Sequence, residues 1–212
     1  MRRLRLKNLP PAEVFGDDLV LDRPEAAVDF AARLGGRPLA LELCCGNGHF
    51  LAELAVRTPE RAFVGVDRQY KRVGAAARKL RKRGLDNVRL VLDDAERTLT
   101  LHFGPASLAA VYILFPDPWP KRRHHKHRLV TASLLAAVRE RLVPGGEVVV
   151  AHDHEEYCAW IAARLRAAPG LVSRLPAPGF SLAPQDDLPR TLYERRWRAA
   201  GRPIRYFRYR RE

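Results

Sequence analysis

The sequence predicts an α/β fold in which a mainly parallel central sheet carries helices on both faces. Three observations predict it. Short apolar runs alternate with segments whose apolar residues recur at three- and four-residue spacing. Such alternation requires crossover connections, and crossovers run strands parallel. A glycine-containing turn, Gly46-Asn47-Gly48, follows one run and opens a helical segment, and acids stand at the ends of several others.

Leu39 to Leu43 is a short buried strand that ends at Cys44-Cys45-Gly46-Asn47-Gly48. His49 to Arg57 follows as a helix, with Phe50, Leu51, Leu54 and Ala55 on one face. Ala62 to Val66 is a strand stopping at Asp67, and Tyr70, Val73, Ala77 and Leu80 mark an amphipathic helix closed by Gly84. Val88 to Leu92 ends at Asp93-Asp94, and Leu108 to Phe115 ends at a Pro-Asp-Pro turn. Leu129, Leu134, Leu135, Val138 and Leu142 mark a helix that Pro144-Gly145-Gly146 terminates. Glu147 to Ala151 is the next strand, ending at His152-Asp153, with a helix through Tyr157, Trp160, Ile161 and Leu165. The Pro-richer tail from Leu171 supplies a helix, Thr191 to Ala200, and a last strand near Ile204 to Tyr209. With no internal repeat or low-complexity linker, residues 1–212 are expected to form one domain with a short basic arm over about residues 1–12.

Composition narrows the function. There are 38 Lys and Arg against 24 Asp and Glu, a formal net charge of +14, and the cations cluster. A clustered excess of this size points to a polyanionic partner, held through phosphate contacts and counterion release. The three cysteines, Cys44, Cys45 and Cys158, form neither a disulfide framework nor a zinc module, which fits a reducing cytoplasm. The start, Met1-Arg2-Arg3-Leu4-Arg5-Leu6-Lys7, lacks the apolar core of a signal peptide, and no stretch has the length to span a membrane.

Asp67, Asp94, Asp117 and Asp153 stand at or just beyond the carboxyl ends of four strands, where open α/β sheets bind ligands. One acid there reads as a helix N-cap; four read as a site. Gly46 and its neighbours let the backbone approach a ligand at a helix N-terminus, and Asp67 is placed to accept ribose hydroxyls. A dinucleotide site wants a third glycine, and this chain has Leu51 there. Glu42 on the first of these strands would repel a pyrophosphate and accommodate the cationic amino-acid end of S-adenosylmethionine, which is therefore preferred over NAD.

The run Phe115-Pro116-Asp117-Pro118-Trp119-Pro120-Lys121-Arg122-Arg123-His124-His125-Lys126 is the most specific segment of the chain. Its prolines forbid helix and force a turn that brackets an acid, and cations and imidazoles follow. It resembles the signature of bacterial tRNA (guanine-N7)-methyltransferases, Rossmann-like class I enzymes that methylate a variable-loop guanine (position 46). The resemblance extends from about Val14 to the C-terminus through Glu42 to Gly48, Asp67, Asn87 to Leu99, Asp153 and Thr191 to Glu194.

The resemblance implies that Glu42, Asp67, Asp94 and Asp117 contact S-adenosylmethionine or close its pocket. Glu42 would meet the methionyl part, Asp67 the ribose, and Asp94 the adenine. Asp117 would be catalytic, orienting the guanine or closing over the cofactor. Lys121, Asp153, Thr191, Leu192, Tyr193 and Glu194 would face tRNA. The implied protein needs no partner subunit of another type and acts as a monomer or homodimer. Two departures stand out: Cys44 replaces the first glycine of the cofactor loop, and Pro120 replaces a polar residue before Lys121.

Simpler readings compete at several points. Lys121 to Arg128 reads as a solvated charge run or as phosphate-binding, and the helix cations between Lys71 and Arg83 as a solvated face. His124, His125 and His127 lie among cations that would repel a metal, so none is expected. Thr191-x-x-Glu194 is also a capping box. The rival functions are another class I RNA methyltransferase, or a non-catalytic tRNA-binding protein of this fold. A uracil-C5 enzyme would need a catalytic cysteine on a later strand, and Cys158 falls in a helix.

Overall fold

A computed structural model describes residues 18–212; the basic arm expected over residues 1–12 lies outside the described residues. In chain order the elements are β1 (Val20–Asp22), α1 (Phe30–Arg33), β2 (Leu39–Leu43), α2 (His49–Arg57), β3 (Ala62–Asp67) and α3 (Tyr70–Lys82). Then come β4 (Val88–Leu92), α4 (Ala95–His102), β5 (Leu108–Leu114), a 3-10 helix (Arg122–His127), α5 (Ala132–Arg141) and β6 (Leu142–His152). The chain closes with α6 (Glu155–Arg166), β7 (Leu171–Ser173), α7 (Leu192–Ala199) and β8 (Arg205–Arg211).

One sheet holds eight strands in the order β1-β4-β3-β2-β5-β6-β8-β7. Strands β1 to β6 pair in parallel, and β8 runs antiparallel to both β6 and β7. From β2 the chain winds outward through β3 and β4, then returns to the other side of β2 at β5. The connections diverge between β2 and β5, so their carboxyl ends border an open crevice.

Side-chain alternation sorts the core onto the two faces. Leu41 and Leu43 pack with Leu99, Leu134, Tyr157 and Ile161, from α4, α5 and α6. Ala40 packs on the opposite face with Phe50, Leu51, Val73 and Leu80, from α2 and α3. Glu42 shares the parity of Ala40, so its carboxylate is driven into an apolar layer.

The expected strands and long helices are present, with three differences. Helix α4 was not expected; its buried stripe, Ala95, Thr98, Leu99 and His102, has helical spacing but contains two polar residues that disguise it. The three-residue strands β1 and β7 and the four-residue α1 are too short to show periodicity. Helix α5 ends at Arg141, and Pro144-Gly145-Gly146 falls inside β6 instead of standing outside a strand. The register shift there explains it: Leu108 pairs with Leu142, while Ala110 pairs with Glu147, so the intervening residues bulge out. Among the described residues, no helix is long and apolar enough to cross a membrane.

Candidate active site

A cavity of about 530 Å³ opens at the carboxyl ends of β2, β3 and β5. Its wall includes Glu42, Gly46, Asp67, Phe115, Asp117 and Tyr193. A larger one, about 680 Å³, lies between α5 and α6 with no acid in its lining. The smaller cavity is the candidate site, because Glu42, two of the strand-end acids, Asp67 and Asp117, and the glycine turn converge on it.

The turn from Cys44 to Gly48 is shaped by close packing. Gly48 has φ +63°, and a Cβ there would come 2.7 Å from Cβ of Ala76 on α3, so only glycine fits. Gly46 has φ +55°, but a Cβ there would meet nothing within 4 Å, because it faces open space. Asp67 fixes this turn: its Oδ2 accepts from the Gly46 N–H at 3.0 Å and its Oδ1 from the Gln69 N–H at 2.8 Å. Lys79 Nζ donates to the Asn47 carbonyl at 2.6 Å. Burial, aided by Arg83, lowers the Lys79 pKa to about 8.

Glu42 is buried, and its Oε2 has no hydrogen-bond partner. Burial raises its pKa well above the carboxylate range; the nearby Asp67 adds to the effect and Lys79 opposes it. An unpaired buried carboxyl is costly unless a ligand supplies the missing donor. A ligand ammonium group meets that demand, and the methionyl end of S-adenosylmethionine carries one.

Cys44 sits in the left-handed region, φ 61°, where the resemblance places a glycine. Burial, together with Asp67, Asp117, Asp94 and Glu42, pushes its thiol up to about 12. A thiol so placed stays protonated and is no nucleophile. Cys158 lies in α6, with Sγ 3.4 Å from the His152 carbonyl and its pKa raised to about 11 by burial, so covalent cysteine catalysis finds no candidate there either.

Five non-glycine residues among those described have positive φ, and three of them, Cys44, Phe115 and Trp119, line this cavity. Strained backbone collects where a site requires it. Phe115 and Trp119 bracket Asp117, which is exposed at the cavity lip.

A family model described as a putative methyltransferase matches residues 36–206. A tRNA (guanine-N(7)-)-methyltransferase of Syntrophotalea carbinolica is 39% identical over 185 residues, covering 86% of this chain and 78% of that one. A protein of the same name from Alkalilimnicola ehrlichii is 38% identical over 187 residues, covering 87% and 78%. This chain belongs to the tRNA (guanine-N7)-methyltransferase family. Among solved structures, the 16S rRNA methyltransferase KamB aligns with TM-score 0.63 at 18% identity over 92% of this chain and 98% of that one. The antibiotic-resistance methyltransferase Kmr aligns at 0.57 and 17% identity, covering 91% and 97%. The fold is that of Rossmann-like class I methyltransferases.

Within this member of the family, the site residues expected from sequence fall into two groups. Glu42, Gly46, Asp67, Asp117, Thr191, Leu192 and Tyr193 share the cavity wall. Tyr193 stacks on Phe115 with ring centroids 6.1 Å apart and stays half exposed. Asp94, Lys121, Asp153 and Glu194 stand outside that wall. Asp94 caps α4, its Oδ1 accepting from the Glu96 and Arg97 N–H groups at 3.0 and 3.1 Å. Asp153 pairs with Arg202 at 3.1 Å. Glu194 is buried and pairs with Arg198 at 3.1 Å. The capping box is half made: Thr191 Oγ1 accepts from the Glu194 N–H at 2.9 Å, while the Glu194 carboxylate turns to Arg198.

Lys121 is exposed and immediately precedes the 3-10 helix, at its N-cap position. The ion pairs of this basic stretch involve only His125 and Arg128, both with Glu156, among the described residues. Lys121, Arg122, Arg123 and Lys126 therefore remain available to an outside anion. Arg128 is different: although it closes the charge run, its side chain is 0% exposed. Sequence reasoning missed it, along with buried His152. The available signal was position, since Arg128 adjoins the apolar residues Leu129 and Val130 and His152 ends a buried strand.

Proposed function

We propose that this protein transfers the methyl group of S-adenosylmethionine to N7 of a tRNA guanine, the one at position 46 of the variable loop. The observation that carries this reading is one cavity that combines an unpartnered buried carboxyl, Glu42 Oε2, with Asp117 on its lip. The relatives' names supply the substrate class.

When bound, S-adenosylmethionine supplies an electrophilic methyl group. Glu42 accepts from its ammonium, Gly46 leaves room for its amino-acid part, and Asp67 retains lone pairs for the ribose hydroxyls. Asp94 takes the adenine side through Oδ2, the oxygen not used for capping. Guanine N7 has a lone pair and no proton to lose, so the chain supplies position and not a strong base. Asp117 accepts from guanine N1–H and the 2-amino group, leaving N7 free, and Tyr193 offers a half-exposed ring to the base.

Lys121 and the neighbouring cations bind phosphates. Asp153 and Glu194 act through Arg202 and Arg198, which they hold in place. The protein is read as one domain that acts in the cytoplasm, as a monomer or homodimer without a different subunit. The test is methylation of unmodified tRNA followed by borohydride and aniline cleavage. A cut at the variable-loop guanine is expected; methyl incorporation without that cut would overturn the N7 assignment.

A further inference from the structure

The loop that carries Asp117 is held from both sides by buried, charged or titratable side chains that phosphate binding and cofactor binding leave unexplained. On one side, His152 Nε2 lies 2.8 Å from the Pro116 carbonyl oxygen, while the His154 N–H donates to His152 Nδ1 at 2.9 Å. The second bond makes Nδ1 the acceptor, so Nε2 carries the proton and donates to Pro116. On the other side, Arg128 Nε donates to the Pro118 carbonyl at 3.0 Å, and its Nη2 lies 3.5 Å from the Trp119 carbonyl.

Both side chains are anchored on the first turns of α6. The Arg128 guanidinium forks onto Glu156, with contacts of 3.0 and 2.5 Å, and lies over the rings of Tyr157 and Trp160 at 5.1 and 4.9 Å. The His152 ring meets Tyr157 edge-on, with centroids 5.1 Å apart. The bonded carbonyls belong to Pro116, Pro118 and Trp119, on either side of Asp117, in a segment strained at Phe115 and Trp119, with φ 53° and 44°. Relaxing that strain would swing the Asp117 carboxylate.

We propose that Arg128 and His152 are positioning residues that hold Asp117 in its guanine-orienting geometry. The inference rests on the role given to Asp117 under the proposed function. It takes Arg128 out of the phosphate-binding run and gives it an inward task. Burial holds the His152 imidazole below its usual titration range, against the Pro116 bond, Asp153 and Asp117, and with His154 acting in the same direction as burial. The neutral ring then has the one donor and one acceptor that its two bonds use.

The test compares Arg128→Lys, His152→Phe, His152→Gln and Asp117→Ala in the full-length protein with unmodified tRNA. Arg128→Lys keeps the charge and loses the fork; His152→Phe keeps the ring and loses both bonds; His152→Gln restores an amide donor. Expected for the first two is a kcat lower by about 10- to 100-fold, as for other residues that orient a catalytic group, with S-adenosylmethionine Kd and tRNA KM within about twofold. His152→Gln should recover part of the loss. Unchanged kcat in Arg128→Lys and His152→Phe, beside an inactive Asp117→Ala, would overturn positioning and leave the proposed function standing. Active Asp117→Ala would overturn the role of Asp117 itself. Lost cofactor binding in both variants, with no recovery in His152→Gln, would show a purely structural role and sink the inference.

Discussion

Replacing Glu42 by glutamine separates the cost of the site from its use. In the free protein Glu42 is buried, one oxygen lacks a partner, and its pKa is raised by desolvation first and by Asp67 second. A carboxyl with a raised pKa holds its proton more tightly in the fold than in the unfolded chain. The fold is therefore favoured at low pH and loses stability as pH rises from the ordinary glutamate range of about 4.3 toward the raised value. Glu42→Gln removes that penalty. Its melting temperature should match the parent below about pH 4 and exceed it increasingly as pH rises, measured by thermal denaturation across pH without ligand.

Binding should move the opposite way. A hydrogen bond to a charged group contributes about 1.5–3 kcal/mol, which is about 10- to 150-fold in Kd. Calorimetric titration of Glu42→Gln with S-adenosylmethionine should show that loss. The parent should release a proton on binding, because the ligand ammonium favours the carboxylate, and its affinity should rise with pH through the Glu42 titration. Titrations in buffers of different ionisation enthalpy count that proton. A glutamine variant that is less stable at neutral pH, or that binds the cofactor as tightly as the parent, would refute the reasoning.

The remaining predictions concern the turn, the basic stretch and the last helix. Cys44→Gly relieves a left-handed residue at φ 61°; the relief of about 1–2 kcal/mol, less about 0.5–1 kcal/mol for the greater freedom of the unfolded chain, should raise the melting temperature slightly. A lower melting temperature would show that the thiol packs more than it strains. Lys121→Ala should weaken tRNA binding, reduce the slope of log K against log salt by about one, and leave cofactor affinity unchanged; an unchanged slope would place Lys121 off the phosphate path. Thr191→Ala removes the cap on the Glu194 N–H and should cost about 0.5–2 kcal/mol, read by chemical denaturation. If it lowers cofactor or tRNA affinity without loss of stability, Thr191 contacts ligand directly.

Much of the cavity wall was legible because its chemistry is local. Glu42 is an acid inside an apolar run, Gly46 and Gly48 punctuate a strand-to-helix turn, and Asp67 closes the next strand. These are near-neighbour patterns, and the backbone geometry of a strand or helix start acts on them directly. Asp94 was legible as an acid at a strand end, yet its Oδ1 goes to the local cap that such acids commonly make. Helix α4 hid behind Thr98 and His102, and β1 and β7 are too short to carry a period.

The sequence by itself determined the strand and helix alternation, the acids at the strand ends, the Pro-Asp-Pro turn and the cationic run after it. Each follows from residue type and spacing, because sterics and hydrophobic periodicity act within a few residues. Only the tertiary structure decided which members of a run share a fate. Arg128 and Lys121 are both cations of one stretch, yet one is fully enclosed between Pro118, Glu156 and two aromatic rings while the other stays exposed. Asp153 and Glu194 likewise turn to Arg202 and Arg198, while Asp117 stays at the cavity lip. The physical reason is desolvation: a charge is buried only where partners from distant segments replace its water, and those partners exist only once the sheet and helices have packed.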